Sequence, residues 1–191
     1  MQKWVAAMSE ETIIAQCSPT MAGLKTGNLF SERFSNKKEF LNRLRRFNAV
    51  LVPRGARLLP LKFEGARVLV YMYRPARLKK DLSNALAVQI LSERNYPIEH
   101  PEHCLKELIR RLNTNDHFPH EIGLFLGYPP EDVHGFIENK AAGAKYVGTW
   151  KVYGDEQRAK DKFAQYKKCT KVYGECFQKQ ISFDQLIVAV K

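Results

Sequence analysis

No stretch of this sequence stays apolar for anything close to the ~20 residues that cross a bilayer. Its opening, MQKWVAAMSEETIIAQ, has neither the long apolar run nor the cleavage site of a secretory leader. Cysteines at metal or redox spacing are missing too. Cys17, Cys104, Cys169 and Cys176 form no C-x-x-C and no Cys/His set suited to zinc. Cys169 and Cys176 lie seven residues apart on a predicted helix, a rise of ~10 Å. A disulfide needs Cα atoms within ~7 Å, so small buried thiols are expected and no metal site. Internal repeats, low-complexity linkers and a G-x-x-x-x-G-K-[ST] phosphate loop are also absent. These absences lead to the expectation of a cytosolic protein without membrane contact. The 191 residues are expected to form a single domain, 1–191.

Acidic residues are scarce in one place. Formal net charge is +11, from 31 Lys and Arg against 20 Asp and Glu. Residues 37–80 hold thirteen of the bases and only two acids, Glu39 and Glu64, so this segment carries the entire excess. A diffuse excess serves solubility, whereas a localised one directs a field at an anionic partner.

Hydrophobic patterning predicts an α+β fold in which a small, mostly antiparallel sheet packs against several helices. SEETIIAQ reads as a short helix capped by Ser9, and NKKEFLNRLRRF as a second capped by Asn36 with Glu39 three residues on. Leu58–Phe63 and Arg67–Tyr73 read as the strands of a hairpin, about 57–73, with Glu64-Gly65 as its loop. That register sets Arg57 opposite Met72 and Gly55 opposite Arg74, gathering Arg54, Arg57, Arg74 and Arg77 at the open end. Guanidinium forks suit carboxylate and phosphate oxygens, so these four are candidate anion-binding residues. Leu78–Arg94 and Glu102–Leu112 read as helices. A strand at about 146–153 is expected to join the hairpin's sheet. Asp155–Phe177 reads as a long amphipathic helix with Ala159, Phe163, Tyr166, Cys169, Val172, Tyr173 and Cys176 inward. The closing SFDQLIVAVK reads as a short helix or strand.

PHEIGLFLGYPPEDVHGFI, at 119–137, resembles a DNA-binding helix-turn-helix. Gly127 suits a left-handed turn and Pro130 a helix start. A recognition helix must approach phosphates, yet this one carries Glu131, Asp132 and Glu138. Residues 99–140 hold eight acids and four bases, which favours a structural corner. His117, His120 and His134 stand near one another without the H-E-x-x-H pattern, because position 124 is leucine.

CSPTMAGLKTGNLF, residues 17–30, admits three readings. It is a loop that turns a corner, with Ser18 and Pro19 opening a helix; or an anion cradle built on Lys25 between Gly23 and Gly27; or the site of a Cys17 nucleophile, which requires a neighbouring base.

CSPTMAGLKTGNLF, HEIGLFLGYPPEDVHGFI and GTWKVYGDEQRAKDKFAQYKKC follow in that order. Through them the chain resembles, over nearly its whole length, a bacterial family catalogued as domain of unknown function 3793. The resemblance brings no catalytic role to any residue, and the cofactor stays unknown. It implies a partner, because genes of that family neighbour genes for flavodoxins, which are strongly acidic. The leading expectation is therefore an accessory or binding protein that recognises an anionic partner through residues 37–80. That partner is either an acidic redox protein such as flavodoxin or a phosphate-bearing cofactor. Two alternatives stand beside it: a nucleic-acid-binding protein using the basic segment with the corner at 119–139 as support, and an enzyme using Cys17 or a histidine.

Overall fold

The computed structural model describes residues 8–114 and 117–189, and its architecture is α+β. The chain divides into two compact units, one formed by residues 1–75 and 168–191 and the other by Ala76–Lys167.

In the first unit, α1 (Glu10–Met21) starts where expected. The Ser9 hydroxyl accepts from Thr12 N at 3.1 Å, and Glu10 and Glu11 sit at the positive end of the helix dipole. Ser18 and Pro19 do not open a helix. They lie in the last turns of α1, where the Ser18 hydroxyl donates back to the Ile14 carbonyl. Gly23, at φ 73°, then turns the chain. β1 (Gly27–Arg33) follows, then α2 (Lys37–Leu51), whose Asn36 cap accepts from Glu39 N at 3.1 Å. β2 (Arg57–Glu64) and β3 (Arg67–Tyr73) form the expected hairpin. The sheet order is β1-β3-β2, antiparallel throughout.

Two details of this sheet differ from the sequence reading. The loop is Gly65-Ala66 rather than Glu64-Gly65, because Glu64 pairs with Arg67 and Gly65 takes φ 55°. An irregularity at Leu61 then shifts the register, so Arg57 faces Tyr73 instead of Met72. The third strand is β1, from the stretch read as a loop. It completes the sheet by pairing Gly27 with Tyr73 through Arg33 with Arg67.

The core of this unit joins Ile13, Ile14, Cys17 and Met21 of α1, Phe40, Leu44 and Leu51 of α2, and Phe30, Leu58, Val68, Val70 and Met72 of the sheet. Full burial of one such large apolar side chain contributes ~1.5–3 kcal/mol. Residues 181–189 form turns rather than a regular element and bury Phe183, Leu186 and Ile187 in the same core, the last two residues of the closing segment lying outside the described residues.

In the second unit, the single helix read over 78–94 is two, α3 (Pro75–Leu82) and α4 (Ala85–Glu93). Asn84 interrupts them and caps α4 by accepting from Leu86 N and Ala87 N. α5 (Pro101–Thr114), α6 (Ile122–Phe125) and α7 (Pro130–Glu138) follow. The strand read at 146–153 is a hairpin of its own, β4 (Tyr146–Val147) with β5 (Lys151–Val152), and does not join the three-stranded sheet. α8 (Glu156–Gln178) matches the long helix expected, with Ala159, Tyr166 and Cys169 buried. Val172 is the exception, 42% exposed.

Gly127 adopts φ 74° between α6 and α7, as the corner requires. Asp132 is one of the three acids that weigh against DNA contact in the sequence. It is 3% exposed and accepts from the Trp150 indole at 2.7 Å and from Tyr153 N and Gly154 N at 2.8 Å each. Its charge is spent fixing the β4–β5 hairpin to α7.

Candidate functional site

The charge sorts by unit. Residues 1–75 and 168–191 hold seventeen Lys and Arg against seven acids, a net of +10, whereas 76–167 hold fourteen against thirteen, a net of +1. Within the first unit α2 presents the densest exposed array. Lys38, Asn42, Arg45, Ala49 and Val52 recur at helical spacing and are all exposed, with Arg46 beside them. Arg45 donates to Asn42 Oδ1 at 3.0 Å. Lys37 lies over the Phe63 ring at 4.2 Å, and that ring packs edge-on against Phe34 and Phe40. The opposite face of α2 is apolar and buried, so the sequence pattern that makes the helix amphipathic also turns its cations outward.

The expected cluster of Arg54, Arg57, Arg74 and Arg77 does not form as one surface site. Arg74 is 1% exposed. Its guanidinium donates to four main-chain carbonyls: Thr20 at 2.6 Å and Met21 at the end of α1, Arg54 at 3.2 Å, and Val188 at 2.7 Å. It holds the negative end of a helix dipole and the closing segment together, which is a structural task. Arg57 is exposed on the strand opposite Tyr73. Arg54 is partly exposed and bonds Asp184 Oδ2 at 3.3 Å. Arg77 is half-buried on α3, in the second unit.

Lys25 is 4% exposed, so the loop does not offer it to solvent as an anion cradle would. Burial pulls its amine down to about 8, with Cys17 opposing. The Cys17 thiol is fully buried, and burial pushes it well above the ordinary thiol range, with Lys25 opposing. A nucleophilic thiol needs the reverse shift and access to substrate. All four cysteines are free. Among the described residues no three His, Cys, Asp or Glu side chains form a metal-binding group. His120 packs against the Phe136 ring at 5.0 Å.

Sequence reasoning missed Val52 and Asp184 as neighbours of the basic array. The signal for Val52 was present, since it continues the 38, 42, 45, 49 series. No local pattern announces Asp184, 130 residues from Arg54.

The model of the family described as "Protein of unknown function (DUF3793)" matches residues 13–187. The chain belongs to that family. No curated protein and no solved structure matches it. No helix among the described residues is long and apolar enough to cross a membrane.

Proposed function

We propose that the protein is an accessory or binding protein whose first unit docks an acidic protein surface through the exposed face of α2. The observation that carries this reading is the series Lys38, Asn42, Arg45, Ala49 and Val52, in which guanidinium and ammonium groups end on an exposed valine. Arginine is enriched at protein interfaces. Lys38, Arg45, Arg46 and Arg57 make no ion pair with any described residue, so their field is available to a partner.

A phosphate-bearing cofactor is the second candidate ligand. It requires donors converging on one point, and the α2 cations are instead laid along a convex face. Nucleic acid is the third. Among the described residues, the exposed large hydrophobic residues of the first unit are valines, which give bases no stacking platform. An acidic redox protein of the flavodoxin type fits the surface best in charge.

The test is binding of a purified acidic flavodoxin, duplex DNA and inorganic phosphate in parallel, at low salt and at ~0.15 M, where the screening length is ~8 Å. The reading expects salt-sensitive binding of the protein partner, lost when Lys38, Arg45 and Arg46 are changed to glutamine and kept when Lys167 and Lys168 are. DNA bound more tightly than the acidic protein, or both triple and double variants behaving alike, overturns it.

A further inference from the structure

Arg54 lies just beyond the end of the α2 series, two residues after Val52. Its backbone is held, because its carbonyl accepts from the buried Arg74 guanidinium at 3.2 Å. Its side chain is only partly committed, with Nη1 donating to the Val50 carbonyl at 3.4 Å and Nη2 meeting Asp184 Oδ2 at 3.3 Å. The Asp184 carboxylate is itself oriented, since its other oxygen accepts from the Ser182 hydroxyl at 2.6 Å. Two other ion pairs of the basic segment are local, Arg43 with Glu39 and Lys62 with Glu64. Arg54, by contrast, takes its acid from a distant segment. Both partners stay accessible, with side chains 34% and 47% exposed. Val188, 47% exposed, bonds through its carbonyl to the same Arg74 that holds Arg54.

We propose that Arg54 is the anchor for a carboxylate of the acidic partner, and that Asp184 occupies this anchor in the free protein as an internal competitor. The inference rests on the docking reading above and names where the partner's acid is received. The chain's own contact supplies the chemistry: a carboxylate presented to a guanidinium beside exposed valines. An arginine whose guanidinium is already held by the Val50 carbonyl has less side-chain freedom to lose on binding, and an exposed ion pair is weak enough to exchange. Asp184 therefore tunes affinity and disfavours anions too weak to displace it.

The test uses poly-L-glutamate as the probe, with the full chain and four variants. Removing the competitor in Asp184→Asn is expected to tighten binding ~two- to fivefold, the span of an exposed ion pair. Glu175→Gln makes the same change in net charge on α8, where the carboxylate pairs with Lys171 rather than Arg54, and is expected to leave affinity near that of the natural protein. Arg54→Gln is expected to weaken binding, and adding Asp184→Asn to it to give no recovery. Melting temperatures confirm that each variant is folded. Asp184→Asn binding no more tightly than the natural protein, Glu175→Gln tightening equally, or a gain that persists without Arg54 overturns the proposal. In those cases salt-sensitive binding by the natural protein leaves the docking reading standing. Polyglutamate held by no variant overturns both.

Discussion

Arg74 Nε donates to the Thr20 carbonyl at 2.6 Å, joining the end of β3 to the last turn of α1 across 54 residues of sequence. The same guanidinium reaches Met21, Arg54 and Val188, so one side chain gathers a helix terminus, the turn before β2 and the closing segment. A planar fork with five donors can do this, and an ammonium on a flexible stem cannot reproduce it. One of the four arginines expected to form an anion site is thus a residue whose donors the fold consumes.

Arg74→Gln is therefore expected to lower unfolding free energy by about 3 kcal/mol or more, because it leaves buried carbonyls without donors. Arg74→Lys should recover only part. Urea midpoints for the two variants and the natural protein check this. Arg57→Gln, on an exposed strand position, should shift stability by no more than ~0.5 kcal/mol. Equal stability of Arg74→Gln and the natural protein would refute the structural role.

The buried Lys25 and Cys17 predict a specific pH dependence. Lys25 has a folded pKa of about 8, below its ordinary 10.5, so between those values the unfolded chain binds the extra proton and stability rises with pH. Cys17 is raised above its ordinary 9.0, so its contribution is complete below pH 9 and declines above it. Together they raise stability from about pH 8 to 9, cancel up to about 10.5, and then lower it. Lys25→Met should be the more stable protein at pH 7, by about 3 kcal/mol, and this advantage should shrink between pH 8 and 10.5. Cys17→Ala should keep the rise and lessen the decline, to which the buried Cys104 and Cys169 thiols, also raised by burial, contribute as well. Chemical denaturation across pH 7–11 measures both, and a constant difference between Lys25→Met and the natural protein would contradict the assignment.

Asp132→Ala should cost about 3 kcal/mol, because it leaves the Trp150 indole and two main-chain N–H groups without their acceptor. The Trp150 emission should shift to the red, measured in a Trp4→Phe background that removes the other tryptophan. Unchanged emission with unchanged stability would argue against a buried organising carboxylate.

Two glycines in helices should respond oppositely to alanine. A Cβ at Gly135 would lie 2.5 Å from Cγ of the Tyr153 ring and 2.6 Å from its Cβ, the rigid root of the side chain. Gly135→Ala is expected to destabilise by ~1–3 kcal/mol. A Cβ at Gly174 on α8 meets nothing within 4 Å, so Gly174→Ala should stabilise by ~0.5–1 kcal/mol through reduced backbone freedom. Thermal melts of both variants settle the contrast.

Much of this fold was legible from local signals. Ser9 and Asn36 cap the helices they were expected to cap, since a short side-chain acceptor satisfies free N–H groups whatever lies further away. Gly127 and Pro130 set the corner for equally local reasons. β1 was not legible. GNLFSER has little β-branched character and becomes a strand because β3 offers it a partner. The break at Asn84 was hidden because leucines at 82 and 86 and Ile90 continue one helical period across it.

The composition and order of residues determined the α+β class, the helix caps, the amphipathic α2 and the confinement of positive charge to one segment. Tertiary structure decided which of those charges meet solvent. Side chains alternate across a strand, so a one-residue change of register exchanges its faces. With the loop at Glu64-Gly65, Arg57 would have faced Met72 and shared the side of Arg74. The true loop and the irregularity at Leu61 set Arg57 against Tyr73 instead. Arg74 continues the core-facing series of Val68, Val70 and Met72 and enters the interior, where the C-terminal carbonyls of α1 receive it. Those carbonyls come from a helix more than fifty residues earlier, and local sequence around Arg74 holds no record of them.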